Sequence, residues 1–258
     1  MEKNVLILSD FVGYGNVAMA TARSVLTRMG CTVFCLPTAL ISNTWNFGAC
    51  AVLNTTDYLK AALENWEKLG FRLDAVLIGY LADEAQAEYI GQLCRKWHQE
   101  GVSIFLDPIF ADNGKLYRGI TEDRLTFLRS LLPLVDYILP NATESCFLAQ
   151  TEDPAAALTA LDAPNVLITG VPRENGSAVL LRTASECTVL PYDPIPGNFP
   201  GAGDAFTALF TAHILSGRPP ADSAASAIRT TRLWLLKSRP HHGIGLPVER
   251  LWEEDEME

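Results

Sequence analysis

Four consecutive residues, Gly201, Ala202, Gly203 and Asp204, could do chemistry as a unit. They stand at the head of an unbroken apolar run, Thr207 to Leu215, so they form the first turn of a predicted helix. Small residues let a ligand approach the backbone closely. The free amide hydrogens of a helix start, with the positive end of its dipole, favour an anion. A carboxylate in the same turn stands beside any phosphate bound there, placed to take a proton from an attacking hydroxyl. The stretch lacks the Lys-Ser/Thr ending of a Walker loop, which excludes that phosphate-binding mode. Alone, the pattern is equally a glycine-containing helix entry with a favourable first-turn charge.

The elements around it are read from apolar runs. Val5–Leu8, Thr32–Leu36, Ala75–Ile78, Val102–Leu106, Val135–Leu139 and Val166–Ile168 read as buried strands. Helices are predicted over 17–29, 56–69, 83–99, 122–132, from Asn141 through Leu148, and over 154–161. Strand and helix thus alternate at least six times, which argues for a parallel sheet with helices on both faces. Such sheets bind ligands at the carboxyl ends of their strands. Polar residues collect there: Ser9-Asp10, Gly79-Tyr80, Asp107-Pro108, Asn141 to Glu144, and Thr169-Gly170. Residues 37–50 are expected as a long loop carrying Ser42, Asn43, Thr44, Trp45, Asn46 and Phe47, of a kind that often covers a ligand. Gly176–Leu181 and Glu186–Leu190 read as an antiparallel hairpin at the sheet edge, and 221–236 as a late helix.

The chain of 258 residues is expected to form a single domain over 1–258, with a solvated acidic tail at 249–258. A net charge of −10 without a basic block disfavours nucleic acid and anionic membrane as partners. No apolar run is long enough to span a bilayer. The six cysteines show no Cys-x-x-Cys spacing, so buried reduced thiols and a cytoplasmic location are expected.

Several of these stretches together resemble one family. Gly201-Ala202-Gly203-Asp204 resembles the Gly-[Ala/Thr]-Gly-Asp signature of the ribokinase-like small-molecule kinases, and Asn141-Ala142-Thr143-Glu144 their Asn-x-x-Glu motif. Asp107 to Tyr117 is similar to the Asp-Pro-Val-x-Gly-Asp-x-Gly segment of pyridoxal kinases. Ser9 with Gly13 to Asn16 resembles their first loop, and Gly79-Tyr80 follows the third strand as in that family. The order and spacing hold from about Asn4 to about Trp234.

The resemblance implies a ribokinase-like α/β fold: a central, mostly parallel sheet, helices on both faces and an antiparallel edge hairpin. It implies ATP-dependent phosphorylation of the 5′-hydroxyl of pyridoxal, pyridoxamine or pyridoxine, helped by Mg²⁺ and with room for a monovalent cation. Asp204 would be the base, with the amides of Gly201, Ala202 and Gly203 as the anion hole. Asp107, Asn141 and Glu144 would serve the metal. Asp107, Asp112, Tyr117, Asn141, Thr169 and Gly170 would lie on the nucleotide side. Ser9, Thr44, Trp45 and Tyr80, with Asp204, would meet the vitamin. A homodimer is expected.

One stretch departs from the family. Where pyridoxal kinases read Ser-Asn-His-Thr or Ser-Thr-His-Thr, this chain reads Ser42-Asn43-Thr44-Trp45. Either Thr44 is displaced or Trp45 stands in the threonine's place. A hydroxymethylpyrimidine or a sugar is therefore an alternative acceptor, and a non-catalytic B6-binding protein an alternative function.

Overall fold

The computed structural model describes residues 2–117, 120–238 and 244–252. Its frame is one nine-stranded sheet. In chain order the strands are β1 (Lys3–Val12), β2 (Cys31–Ile41), β3 (Val52–Asn54), β4 (Ala75–Ile78), β5 (Ser103–Leu106), then β8 (Tyr137–Ile138), β9 (Asn165–Arg173), β10 (Gly176–Arg182) and β11 (Cys187–Tyr192). Between β5 and β8 the chain makes a separate small hairpin, β6 (Ala111–Asp112) and β7 (Lys115–Leu116). The spatial order across the sheet is β11-β10-β9-β8-β5-β4-β1-β2-β3. Neighbours from β2 through β9 run parallel. The edges are antiparallel, β3 on one side and β10 with β11 on the other.

The parallel strands have apolar residues on both faces because helices cover both. In β1 the alternation is direct. Leu6 and Leu8 join one buried cluster with α3 (Glu84–Gln99), α4 (Glu122–Leu131) and the helices α5 (Ala142–Ala149) and α6 (Pro154–Ala160). Val5 and Ile7 join the other, with α1 (Ala18–Arg28), α7 (Ala202–Leu215) and α8 (Pro220–Ser238). The helix α2 (Thr56–Lys68) sends Leu59 into the first cluster, and the short α9 (Val248–Leu251) sends Val248 and Leu251 into the second. α7 is buried from Ala205 through His213, which explains its lack of a polar face.

Three expectations are corrected. The second strand does not stop at Leu36. It runs through Ile41, where Ala39, Leu40 and Ile41 pair with β3, so the loop shrinks to 42–51 around a short 3₁₀ turn at Trp45–Phe47. Thr169 and Gly170 do not follow a strand end but lie inside β9. The ladder to β10 shifts register opposite them, and Gly170 takes φ of 68°. The acidic tail falls partly in α9, and 253–258 lie outside the described residues. No helix among the described residues is long and apolar enough to cross a membrane.

Candidate active site

The chain leaves β1 toward β2 on one side, and later returns to β4 on the other. The carboxyl ends of β1 and β4 therefore flank the point where the sheet order reverses, where doubly wound sheets form a crevice. A cleft lies at this point, lined by Ser9, Ala18, Gly79, Asp107, Asp204 and Thr207 among others.

α7 brings two of these residues. Gly201 is the residue before its first turn, with φ of 85°, a conformation glycine adopts without strain. A Cβ there would lie 2.5 Å from the Asn16 carbonyl oxygen, so both the dihedral and the space require glycine. Asp204 sits in the first turn. Its Oδ2 accepts the backbone N–H of Ala18 at 2.7 Å. Ala18 itself holds φ of 48°, a region costly for a residue with a Cβ. Burial raises the Asp204 carboxyl above the ordinary aspartate range, while the Ala18 amide opposes that rise. One turn on, Thr207 Oγ1 donates to Asp107 Oδ2 at 2.8 Å, joining α7 to the end of β5.

Of the three amides predicted for the anion hole, that of Ala202 is committed within the protein. It donates to the Phe199 carbonyl at 3.1 Å. Gly203 has open space where a Cβ would stand.

Asn141 and Glu144 come together as a capping box at the start of α5. Asn141 Oδ1 accepts the Glu144 amide at 2.9 Å, and Glu144 Oε2 accepts the Asn141 amide at 2.9 Å. Glu144 Oε1 also receives the Phe110 amide at 2.8 Å and that of Ala111 at 3.3 Å. Asn141 Nδ2 donates to the Ala111 carbonyl at 2.8 Å. The pair thus clamps the segment after Asp107. Three of about four acceptor positions on the Glu144 carboxylate are filled by protein. Burial outweighs these bonds and pushes Glu144 up to about 7. Asp107 is also raised, by burial and then by the Glu144 and Asp204 charges. Among the described residues no group of three or more His, Cys, Asp or Glu is placed to hold a metal ion.

Asp112 serves its own turn, accepting from the Asn113 amide at 2.8 Å and from Asn113 Nδ2 at 2.9 Å. Tyr117 bonds through its amide to the Phe110 carbonyl at 2.8 Å. Its phenol is raised by burial and by the Glu144, Asp112, Asp204 and Asp107 charges. Thr169 lies beside Asn141 in an isolated parallel bridge.

On the acceptor side, Ser9 is buried and occupies the space a Cβ at Gly79 would need; the Ser9 Cβ would be only 2.9 Å away. Thr44 is 8% exposed, and its Oγ1 is buried with no hydrogen-bond partner among the described residues. Trp45 is 42% exposed, so it is not a core residue. Of the two residues, the threonine is the one turned inward with a free hydroxyl. Tyr80 carries the Arg124 guanidinium 4.4 Å over its ring.

Sequence reasoning missed Ala18, Thr207 and Arg124, and gave Asp10 no role. Thr207 had a signal, since it lies three residues beyond Asp204 on the same helix. Ala18 acts through its backbone amide, which leaves no mark in the sequence.

Comparisons with known proteins fit this geometry. The profile described as phosphomethylpyrimidine kinase matches residues 24–245. Pyridoxal kinase PdxY of Rubrobacter xylanophilus is 30% identical over 239 residues, covering 83% of this chain and 80% of that one. The crystal structure of pyridoxal kinase from Lactobacillus plantarum has a TM-score of 0.86 at 25% identity, covering 96% of this chain and 95% of that one. A Bacteroides thetaiotaomicron structure, described as a phosphomethylpyrimidine kinase and crystallised with pyridoxal, has a TM-score of 0.86 at 26% identity, covering 97% and 94%. The chain therefore belongs to the phosphomethylpyrimidine kinase family, among the pyridoxal kinases of the ribokinase-like superfamily.

Proposed function

We propose that this protein is an ATP-dependent kinase that phosphorylates the 5′-hydroxyl of a vitamin B6 vitamer: pyridoxal, pyridoxamine or pyridoxine. The observation that carries the reading is Asp204. It is a half-buried carboxylate in the first turn of α7, held at 2.7 Å by the Ala18 amide and lining the cleft at the sheet's reversal point. Relatives named for pyridoxal support the acceptor class.

Asp204 takes the proton of the attacking hydroxyl as general base. Burial raises its affinity for that proton, which improves its match to the task. The amides of Gly201 and Gly203, with the positive end of α7, receive the transferring phosphoryl group. The nucleotide lies over Thr169 and Gly170, toward 193–199 and the start of α8, with Asp112 and Tyr117 flanking its phosphates. The vitamin ring meets Ser9, Thr44 and Tyr80, with Trp45 over the opening. The orphaned Thr44 hydroxyl is a polar group that such a ligand satisfies.

The donor set suits Mg²⁺ brought in with the nucleotide better than a resident ion, because Mg²⁺ keeps several waters and takes few protein carboxylates. Asp107 and the remaining acceptor position of Glu144 would hold it, through water, beside Asn141, and it would neutralise phosphate charge. A monovalent cation, a homodimer, a single catalytic domain and a reducing, cytoplasmic setting complete the reading. The last is supported by six unpaired cysteines.

ATP consumption with each vitamer, hydroxymethylpyrimidine and ribose tests it. Turnover of a vitamer is expected. Turnover of hydroxymethylpyrimidine or ribose alone would move the acceptor class, and saturable vitamer binding without ATP consumption would make the protein a binder.

A further inference from the structure

Phosphoryl transfer leaves without a task one buried acid that touches the cleft-lining Ser9. Asp10 ends the inward run of β1 beside Ser9 and is 8% exposed. Ser9 Oγ donates to its Oδ1 at 3.2 Å. That donor is uncharged. Among the described residues Asp10 forms no ion pair. Arg124, the cation whose charge reaches it, is committed elsewhere. That guanidinium covers the Tyr80 ring and donates to the carbonyls of Leu81 and Ala82. Asp204 adds a repelling negative charge. A carboxylate kept out of water without a counter-charge is costly. The cost is relieved where a ligand brings the missing charge.

We propose that Asp10 is a specificity-determining residue, whose carboxylate accepts a charge-assisted hydrogen bond from a cationic N–H group of the acceptor. This rests on the B6 reading above. Two groups of the vitamers supply that chemistry: the protonated ring nitrogen, present in all three, and the ammonium of the aminomethyl arm, present only in pyridoxamine. A ring carbon or a neutral hydroxymethyl arm supplies neither. Burial and the Asp204 charge push Asp10 up to about 7, so cation binding favours release of its proton.

The test measures kcat/KM for pyridoxamine, for pyridoxine, and for a pyridoxine analogue with carbon in place of the ring nitrogen. Each is run on the wild type and on Asp10→Asn. A charge-assisted bond predicts a wild-type preference of roughly ten- to hundredfold for the acceptor that carries the cation. Collapse of the pyridoxamine-to-pyridoxine ratio in Asp10→Asn assigns the contact to the arm. Collapse of the pyridoxine-to-analogue ratio assigns it to the ring nitrogen. Wild-type ratios that both lie near one overturn the proposal even if the variant does not fold. Ratios unchanged in a folded variant also overturn it, including where only its monovalent-cation requirement shifts. Absence of turnover with every vitamer in the wild type removes the B6 reading itself, and this proposal with it.

Discussion

The backbone amide of Ala18 and the carboxylate of Asp204 meet at 2.7 Å across 186 residues of chain. One hydrogen bond thus ties the start of α1 to the first turn of α7. It fixes the direction of a half-buried acid that desolvation alone would leave protonated more readily. Ala18 holds a left-handed backbone to make that bond, so local strain supports the position of the acid.

Asp204→Asn retains an acceptor oxygen for the Ala18 amide and should fold normally. Loss of a general base lowers kcat by roughly 10²–10⁴. In the wild type the base works only when ionised, so kcat falls as pH drops through its pKa. Burial places that acid limb above the ordinary aspartate value of 3.8. A variant with wild-type kcat across the pH range would remove Asp204 from the base role.

Gly79→Ala places a methyl group where the Ser9 hydroxyl lies. The overlap should cost about 1–3 kcal/mol of stability, and it displaces Ser9 from the cleft. Adding Ser9→Gly to the same chain removes both overlapping atoms and should recover most of the loss. Additive effects in a urea-unfolding cycle of the two substitutions would show that the contact is not the cause.

Glu144→Gln keeps one carbonyl oxygen but points an amide group at a backbone N–H that now has no acceptor. Stability without nucleotide should fall by about 1–3 kcal/mol. Under the metal role, the variant should also need more Mg²⁺ for half-maximal rate. Denaturant unfolding checks the first effect. A rate-against-Mg²⁺ titration that overlays wild type would rule out the second and leave Glu144 as the clamp of the capping box.

Trp45→Ala removes a side chain that is 42% exposed, so stability should change by less than about 0.5 kcal/mol. If the indole covers the acceptor, KM for the vitamin rises while KM for ATP stays nearly constant. Trp45→Phe should restore much of the loss, since a stacking face remains. Equal rises in both KM values would take Trp45 out of the acceptor site.

The sequence alone determined the alternation of strands and helices, because runs such as Val5–Leu8 and Ala75–Ile78 are apolar throughout and too short for helices. It also determined where α7 begins, since Gly201 to Asp204 precede an apolar run without a breaker. It did not show β2 running on past Leu36. Pro37 and Thr38 look like a strand end, but tertiary pairing overrides them. Ser9 pairs with Pro37 in the parallel ladder, and Ala39 to Ile41 pair with β3. Thr169 and Gly170 followed an apolar run and looked like a loop, yet the ladder to β10 absorbs them in a bulge.

Only the tertiary structure decided what each acid at the strand ends does. Sequence sets Asp204 apart by its place at the head of α7, but it does not show what holds Asp10, Asp107, Asp112, Glu144 or Asp204. Their surroundings separate them: Glu144 is held by three backbone amides, Asp112 by its own turn, Asp204 by Ala18, and Asp10 by no cation among the described residues. For Glu144 and Asp204 the partners include main-chain N–H groups brought from distant parts of the chain, those of Phe110, Ala111 and Ala18. A backbone amide is the same in every residue but proline, so its placement is set by the fold and cannot be read from side-chain identity.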